Sequence, residues 1–508
     1  MVAGVSIRIA LVVTRDLTPG TAWGSLVAHL LGRGHLVVAS KQPLDVFRFA
    51  IGEPPFEIFP RDITSDDYLK IPIEPGAYQK LNSFLIRSEY ASVHAVLLTM
   101  LSRRDSSGTF RTIDREVVIR RLLLSLFSQM LRSNPTHVVF EETPHEVADF
   151  ALFEISRFMG IPTLVFQPSL VGPQLVARTA IDEILVVPVA GDLNATMESA
   201  RVVAGQISRA AVRKLNLGGG TALLDRQKRI DSAARDLRAK LRAVAWTVRT
   251  ILTVQPNHLV NLTGHHAVPR ILRRAYEVFA SRSLRNSLNR TIAALPSEMP
   301  TPKSRYAIFA LHYEPERTNM PEGLPYLSQL DAVLAARCFL PDDVVLFVKE
   351  HYAQQSSSLR GYVGRSPLAY GYLEGIPGVE MLGVGANTRE LVKGAESIFT
   401  MTGKIGIEAA FLGTPAIYLG QPWWGQMPGA YAFSTLSSLG DVIKQQPPTV
   451  KEVWEWFENQ IDHTLLFGLG GTAPEKYSTR ISPLPEGFEE LEFESIARAV
   501  DSFLARTL

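Results

Sequence analysis

Three short apolar runs, each stopping at a cluster of polar residues, restrict what this chain can fold into. Residues 306–311 run into His312-Tyr313-Glu314-Pro315-Glu316, residues 344–348 into Lys349-Glu350-His351, and residues 397–401 into Thr402-Gly403-Lys404-Ile405-Gly406-Ile407-Glu408. In an open parallel sheet, ligands bind beyond the carboxyl ends of the strands, so the three clusters are expected to converge on one site.

The elements around these runs continue the pattern. Helical spacing is expected over 327–339, around Tyr370, over 388–394 and over 405–412, with further strands at 379–382 and 415–419. The N-terminal half opens the same way: a strand at 7–13, a polar loop, a helix over 23–33 stopped at Gly34, and a returning strand at 35–40. Its first loop lacks a GxGxxG fingerprint, which argues against a dinucleotide there. Residues 41–111 give no assignable order beyond an apolar helical segment at 93–101. A long amphipathic helix over 113–132 then leads through Asn134-Pro135 to a strand at 137–140 that ends in Glu141-Glu142-Thr143-Pro144-His145. A helix to Met159 and a strand at 161–166 follow. Two carboxylates and a histidine just past a strand end are placed as acid, base or nucleophile candidates are; the alternative is that the carboxylates favour the N-terminal end of the next helix.

Length and composition frame this reading. With 508 residues, two domains of about 200 residues each plus connecting elements are expected. A hydrophobic content of 46% and a charged content of 20% belong to an ordered globular chain. The net charge of +2 gives no reason to expect nucleic acid as a partner. The single cysteine, Cys338, excludes a disulfide within the chain, favours a reducing cytoplasm and reads as a buried small apolar residue. No apolar run is long enough to span a membrane, and the arginine within the first apolar stretch argues for a strand there and against a secretory signal. Between the halves, residues 197–294 read as helical and basic. Such helices either lie on anionic lipid or present a solvated face while packing against the sheet domains. No Asp-x-Asp triplet occurs, in keeping with chemistry that needs no metal or cofactor.

The turn from Thr402 to Glu408 carries the most chemistry. A strand that enters a helix through Thr-Gly-Lys-Ile-Gly offers backbone N–H groups and a positive helix end to an anion, Lys404 adds charge, and Glu408 stands one turn in, where it can accept hydrogen bonds from ribose hydroxyls. Together with His312 to Glu316, Lys349-Glu350-His351 and Gly413-Thr414-Pro415, this stretch resembles the bacterial capsule polysaccharide biosynthesis family, which includes the retaining β-Kdo transferases. Tyr352 stands where that family commonly has proline, and Lys404 where a small residue is usual; the first exchange is expected to change the loop, the second to alter which donor phosphates are accepted.

The resemblance implies an α/β fold of glycosyltransferase-B type: two Rossmann-like domains facing a cleft, with a helical insertion between them. The expected divisions are an acceptor-side domain at 1–195, a basic helical insertion at 196–300, a nucleotide-sugar-binding domain at 301–480 and a C-terminal helix at 481–508 packing back on the first domain. The implied activity is metal-independent transfer of a sugar, CMP-Kdo or a related CMP-ulosonic acid being the best match, to a surface-polysaccharide or glycolipid acceptor. The implied place is the cytoplasm, at the inner face of the membrane. Lys349 and His351 would neutralise phosphate charge, helped by Thr402, Gly403, Lys404 and Gly406, while Glu408 would hold the ribose. His312 and Glu316 would meet the donor base or sugar carboxylate, unless they form only a hydrogen-bonded turn. Glu141 and Glu142 are the candidates for nucleophile or oxocarbenium stabiliser, with His145 as proton carrier. Three alternatives are carried: a UDP-sugar transferase, a non-hydrolysing UDP-GlcNAc 2-epimerase with a similar two-domain plan, and a non-catalytic scaffold.

Overall fold

A computed structural model describes residues 7–13, 15, 17, 20–40, 73–103, 105, 111–169, 171–187, 193–217, 270–297, 305–315, 320–356, 359–472, 474, 477–478 and 482–507. The chain forms two compact units: Met1–Leu101, Arg111–Ala211 and Glu458–Leu508 in one, Ser102–Phe110 and Val212–Phe457 in the other. Each is built on a six-stranded, largely parallel sheet, so the expected plan of two Rossmann-like α/β domains is present.

The first unit contains β1 (Arg8–Val12), β2 (Leu36–Ser40), β3 (His137–Phe140), β4 (Thr163–Pro168), β5 (Gln174–Arg178) and, far along the chain, β12 (Leu466–Phe467). Their order is β12-β5-β4-β3-β1-β2, with β1 to β4 parallel and both β5 and β12 antiparallel to their neighbours. On one face Leu26 and Leu30 of the helix Ala22–Gly32 meet Ile496, Val500 and Phe503 of the helix Phe488–Thr507 in a single core. Asp501 ties the two helices together, 3.2 Å from both His29 Nε2 and Arg33 Nη1. The C-terminal helix is therefore part of the first unit.

The second unit contains β6 (Arg305–Ala310), β7 (Val344–Lys349), β8 (Val379–Leu382), β9 (Ile398–Thr400), β10 (Ala416–Tyr418) and β11 (Ala430–Ala432). All pairs are parallel, in the order β8-β7-β6-β9-β10-β11. Counted within this unit the order is 3-2-1-4-5-6, the Rossmann arrangement, and it reverses between β6 and β9. Phe309, Val348, Phe399 and Ile417 from the strands pack with Ala332, Val333 and Ala336 from the helix Gln329–Phe339. That helix also corrects one expectation: Cys338 is exposed, because its position falls off the face on which Ala332, Val333 and Ala336 are buried.

The helices Ala195–Asn216 and Arg270–Ala294 stand in sequence between the two sheets; much of the basic stretch that separates them lies outside the described residues. Among the described residues no single helix is long and apolar enough to cross a membrane. The bent pair Pro75–Leu85 and Tyr90–Ser102 buries Phe84, Val96, Leu97 and Leu101 inside the protein.

Candidate functional site

The point where a Rossmann sheet reverses its strand order leaves a gap beyond the strand ends, because the flanking helices lie on opposite faces. In the second unit that point is the ends of β6 and β9, and the residues following them are hydrogen-bonded to each other. His312, just past β6, lies with Nε2 2.9 Å from Thr400 Oγ1 at the end of β9, and the Thr402 N–H donates to the same nitrogen at 3.4 Å. The Gly403 N–H donates to Thr400 Oγ1 at 3.2 Å. This pattern assigns Nε2 as the unprotonated nitrogen, with the Thr400 hydroxyl donating to it. Burial, reinforced by His351 and Arg365, pushes the His312 pKa down to about 3, so the ring is a neutral acceptor at neutral pH.

The His312 backbone is fixed as firmly as its ring. Its N–H donates to Gln329 Oε1 at 2.7 Å, and Gln329 Nε2 returns bonds to the His312 carbonyl at 3.2 Å and to Glu314 Oε1 at 2.7 Å. Gln354 holds the next link, accepting from the Glu314 N–H at 2.9 Å and donating to its carbonyl at 3.0 Å. His312 thus acts as a buried brace joining two strand ends. Glu316 lies outside the described residues.

The same bonds change how the Thr402–Glu408 turn works. The Thr402 and Gly403 N–H groups are committed to His312 and Thr400, and the Gly406 N–H donates to the Gly403 carbonyl at 3.0 Å. The turn therefore offers an anion fewer N–H groups than its sequence suggests. Its glycines serve close packing. A Cβ at Gly403 would lie 2.7 Å from Thr400 Oγ1 and 2.8 Å from His312 Nε2, and one at Gly406 would enter the Trp424 ring. Trp424 is fully buried and donates from Nε1 to the Thr402 carbonyl at 3.3 Å, clamping the turn from below.

At the end of β7, Lys349 and Glu350 are buried and His351 half-buried. Glu350 accepts the His351 N–H at 2.6 Å and the Tyr370 hydroxyl at 2.5 Å. His351 Nδ1 accepts the Ala353 N–H at 3.1 Å, which leaves the proton on Nε2. Burial, with the positive charges of Lys349, Arg365 and Lys404, lowers its pKa to about 4. His351 is therefore a neutral N–H donor at neutral pH, and the positive charges beside it are those of Lys349, Arg365 and Lys404. Tyr352 opens a 3-10 turn, Tyr352–Gln355, capped by His351.

Glu408 completes the group. Burial raises its pKa to about 7 against the opposing pull of Lys404 and Arg389. Lys404 thus acts on both His351 and Glu408, so the ends of β7 and β9 share one electrostatic environment.

In the first unit the paired glutamates behave differently from each other. Glu141 is fully buried, its Oε2 accepting the Arg15 N–H from the end of β1 at 3.2 Å. Glu142 is half-buried, with Oε1 3.9 Å from His145 Nδ1; that nitrogen lies 2.9 Å from the Thr143 carbonyl and so carries the proton. The N-cap position of the helix Val147–Phe158 is Glu146. Sequence reasoning missed the surrounding parts. Arg15 Nη1 bonds Glu492 Oε1 of the C-terminal helix at 2.5 Å, and that oxygen also accepts the Leu469 N–H at 2.8 Å. Burial opposes the charge on Arg15, but Glu492 and Glu141 outweigh it and raise its pKa. A Cβ at Gly471 would lie 2.7 Å from a Glu142 carboxylate oxygen. The run Gly468-Leu469-Gly470-Gly471-Thr472 was the available signal for this close approach.

No protein-family model matches the chain, and no curated protein matches it. Among solved structures it is similar to a β-Kdo 2,4 transferase structure of Thermosulfurimonas dismutans KpsC, with 12% identity and a TM-score of 0.25 over 63% of this chain and 78% of that one. For a β-Kdo 2,7 transferase structure of the same KpsC the identity is 14% and the TM-score 0.21, over 32% of this chain and 51% of that one; the match spans about half of that chain's length. The S. aureus MnaA–UDP structure is similar at 10% identity and a TM-score of 0.20, over 98% of this chain and 97% of that one.

Proposed function

We propose that this chain is a glycosyltransferase that takes its sugar from a nucleotide-activated donor, held at the strand ends of the second unit. One observation carries the reading: at the reversal point of a parallel sheet in Rossmann order, a buried histidine bonds the ends of β6 and β9 together, while Lys349, His351, Lys404 and Glu408 gather at the ends of β7 and β9. The donor phosphate meets Lys349, Lys404 and the His351 Nε2–H, and Glu408 accepts from a ribose hydroxyl. As the glycosidic C–O bond breaks, its electron pair stays on the phosphate oxygen, where the two lysines stabilise the developing charge, while the sugar's anomeric carbon ends bonded to the acceptor's hydroxyl oxygen, whose proton is taken up by a general base.

The donor is a CMP-linked ulosonic acid such as CMP-Kdo and the acceptor a surface polysaccharide or glycolipid, both resting on the motif resemblance. Two lysines provide the positive charge this cleavage needs, so transfer proceeds without a metal or cofactor. In the first unit, half-buried Glu142 with His145 is better placed to meet a substrate than fully buried Glu141, whose carboxylate holds the Arg15 loop. The protein works in the cytoplasm at the inner membrane face. In an assay of CMP release from CMP-Kdo with a glycan acceptor, Glu142→Gln is expected to lose transfer by about a hundredfold or more with nucleotide affinity unchanged. Unimpaired transfer by that variant removes Glu142 from the mechanism.

A further inference from the structure

Arg365 lies outside the three polar strand ends, yet it touches two of them. Its Nη2 donates to the His312 carbonyl beyond β6 at 3.1 Å and lies 3.8 Å from Glu314 Oε2. Its Nη1 is 3.7 Å from Glu350 Oε2 beyond β7. Glu350 is the carboxylate that accepts the His351 N–H and the Tyr370 hydroxyl, so one buried guanidinium is linked to the backbone of both histidine-bearing ends. The preceding residue is seated just as tightly: a Cβ at Gly364 would lie 2.6 Å from the Glu314 carbonyl carbon.

Stability alone does not account for this side chain. Burying an ion pair costs several kcal/mol per ion in desolvation, and apolar replacements of similar volume are often neutral or stabilising. Arg365 Nε moreover has no hydrogen-bond partner among the described residues, a further cost in a buried donor. What a guanidinium supplies and an apolar side chain does not is a rigid fork that spaces a carbonyl and two carboxylates. We infer that Arg365 is a positioning residue of the nucleotide site: it holds the ends of β6 and β7 in register so that Lys349 and His351 meet the ligand phosphate in one geometry. This rests on the reading that the second unit binds a sugar nucleotide.

The test uses full-length protein and whichever of CMP, CDP, UDP, GDP and ADP the wild type binds most tightly. Calorimetric titrations compare wild type, Arg365→Lys, Glu350→Gln and the double variant Arg365→Met/Glu350→Gln, with thermal unfolding recorded for each. The double variant removes both charges, so Glu350 is not left as an ion stripped of its main counter-charge. It is expected to bind about tenfold or more weakly than Glu350→Gln at a similar Tm, and Arg365→Lys, which keeps the charge but not the planar fork, about tenfold more weakly than wild type. Equal affinity of the double variant and Glu350→Gln overturns the inference and leaves the nucleotide reading standing. Should the double variant unfold, a folded Arg365→Lys protein that binds about tenfold more weakly than wild type at a similar Tm supports the fork, and one with wild-type affinity overturns it. No nucleotide binding by the wild type overturns both.

Discussion

Single residues in the second unit carry opposite pH signatures, and each has a sign that measurement can check. Glu408 is an acid whose folded pKa, about 7, stands above its ordinary value because burial disfavours the charge. Between roughly pH 4.5 and pH 7 the folded state keeps a proton that the unfolded state has given up, so stability falls as pH rises through that window and is level above it. Glu408→Gln removes this cost. The variant is expected to gain about 2–3 kcal/mol over wild type at pH 8 and little at pH 4.5, measured by urea unfolding at both pH values. An equal difference at the two pH values contradicts a raised pKa. His312 and His351 act in the other direction: both are held neutral, at pKa values of about 3 and about 4, so their contribution is complete above the ordinary histidine pKa and is lost as pH falls toward those values. The sequence pointed to the turn at Thr402 but not to the roles of its parts, because nothing in Gly403 or Gly406 reveals that Thr400, His312 and Trp424 stand against them.

At the scale of elements, periodicity and punctuation made most of the strands legible. β3 and β8 fall where their apolar runs begin and end, and β6, β7 and β9 within a residue or two of them. Three strands left no such mark: β11 and β12 are three and two residues long, and β5 opens on a glutamine and closes on an arginine, so no apolar run announces it. The helix Arg270–Ala294 exposes Leu272, Tyr276 and Phe279 at four- and three-residue spacing, which sets them on one face of a segment rich in arginine. An apolar stripe on an arginine-rich helix is what the expected contact with anionic lipid calls for, and vesicle binding tests that expectation. The full-length protein is expected to co-sediment with vesicles containing phosphatidylglycerol and not with pure phosphatidylcholine vesicles, and Phe279→Asp is expected to weaken sedimentation severalfold. Equal recovery with both vesicle types contradicts the expectation.

For the whole molecule, two largely parallel sheets follow from the alternation of apolar runs with helical segments, and the C-terminal helix joins the first unit because its apolar face completes a core that includes Ile7. That long-range closure, with Arg15 meeting Glu492 across 477 positions of sequence, is beyond local pattern reading. Nucleotide binding at the strand ends of the second unit, as proposed above, is open to a direct test. The test is calorimetric titration of CMP, CDP, UDP, GDP and ADP into wild type and Glu408→Ala, first with EDTA and then with magnesium. Saturable CMP binding in EDTA that weakens about tenfold in Glu408→Ala is the expected result. Selectivity for UDP would keep the site and change the donor, to that of a hexose or HexNAc transferase or an epimerase. Binding of none of the five by the wild type would contradict the claim and favour a non-catalytic scaffold.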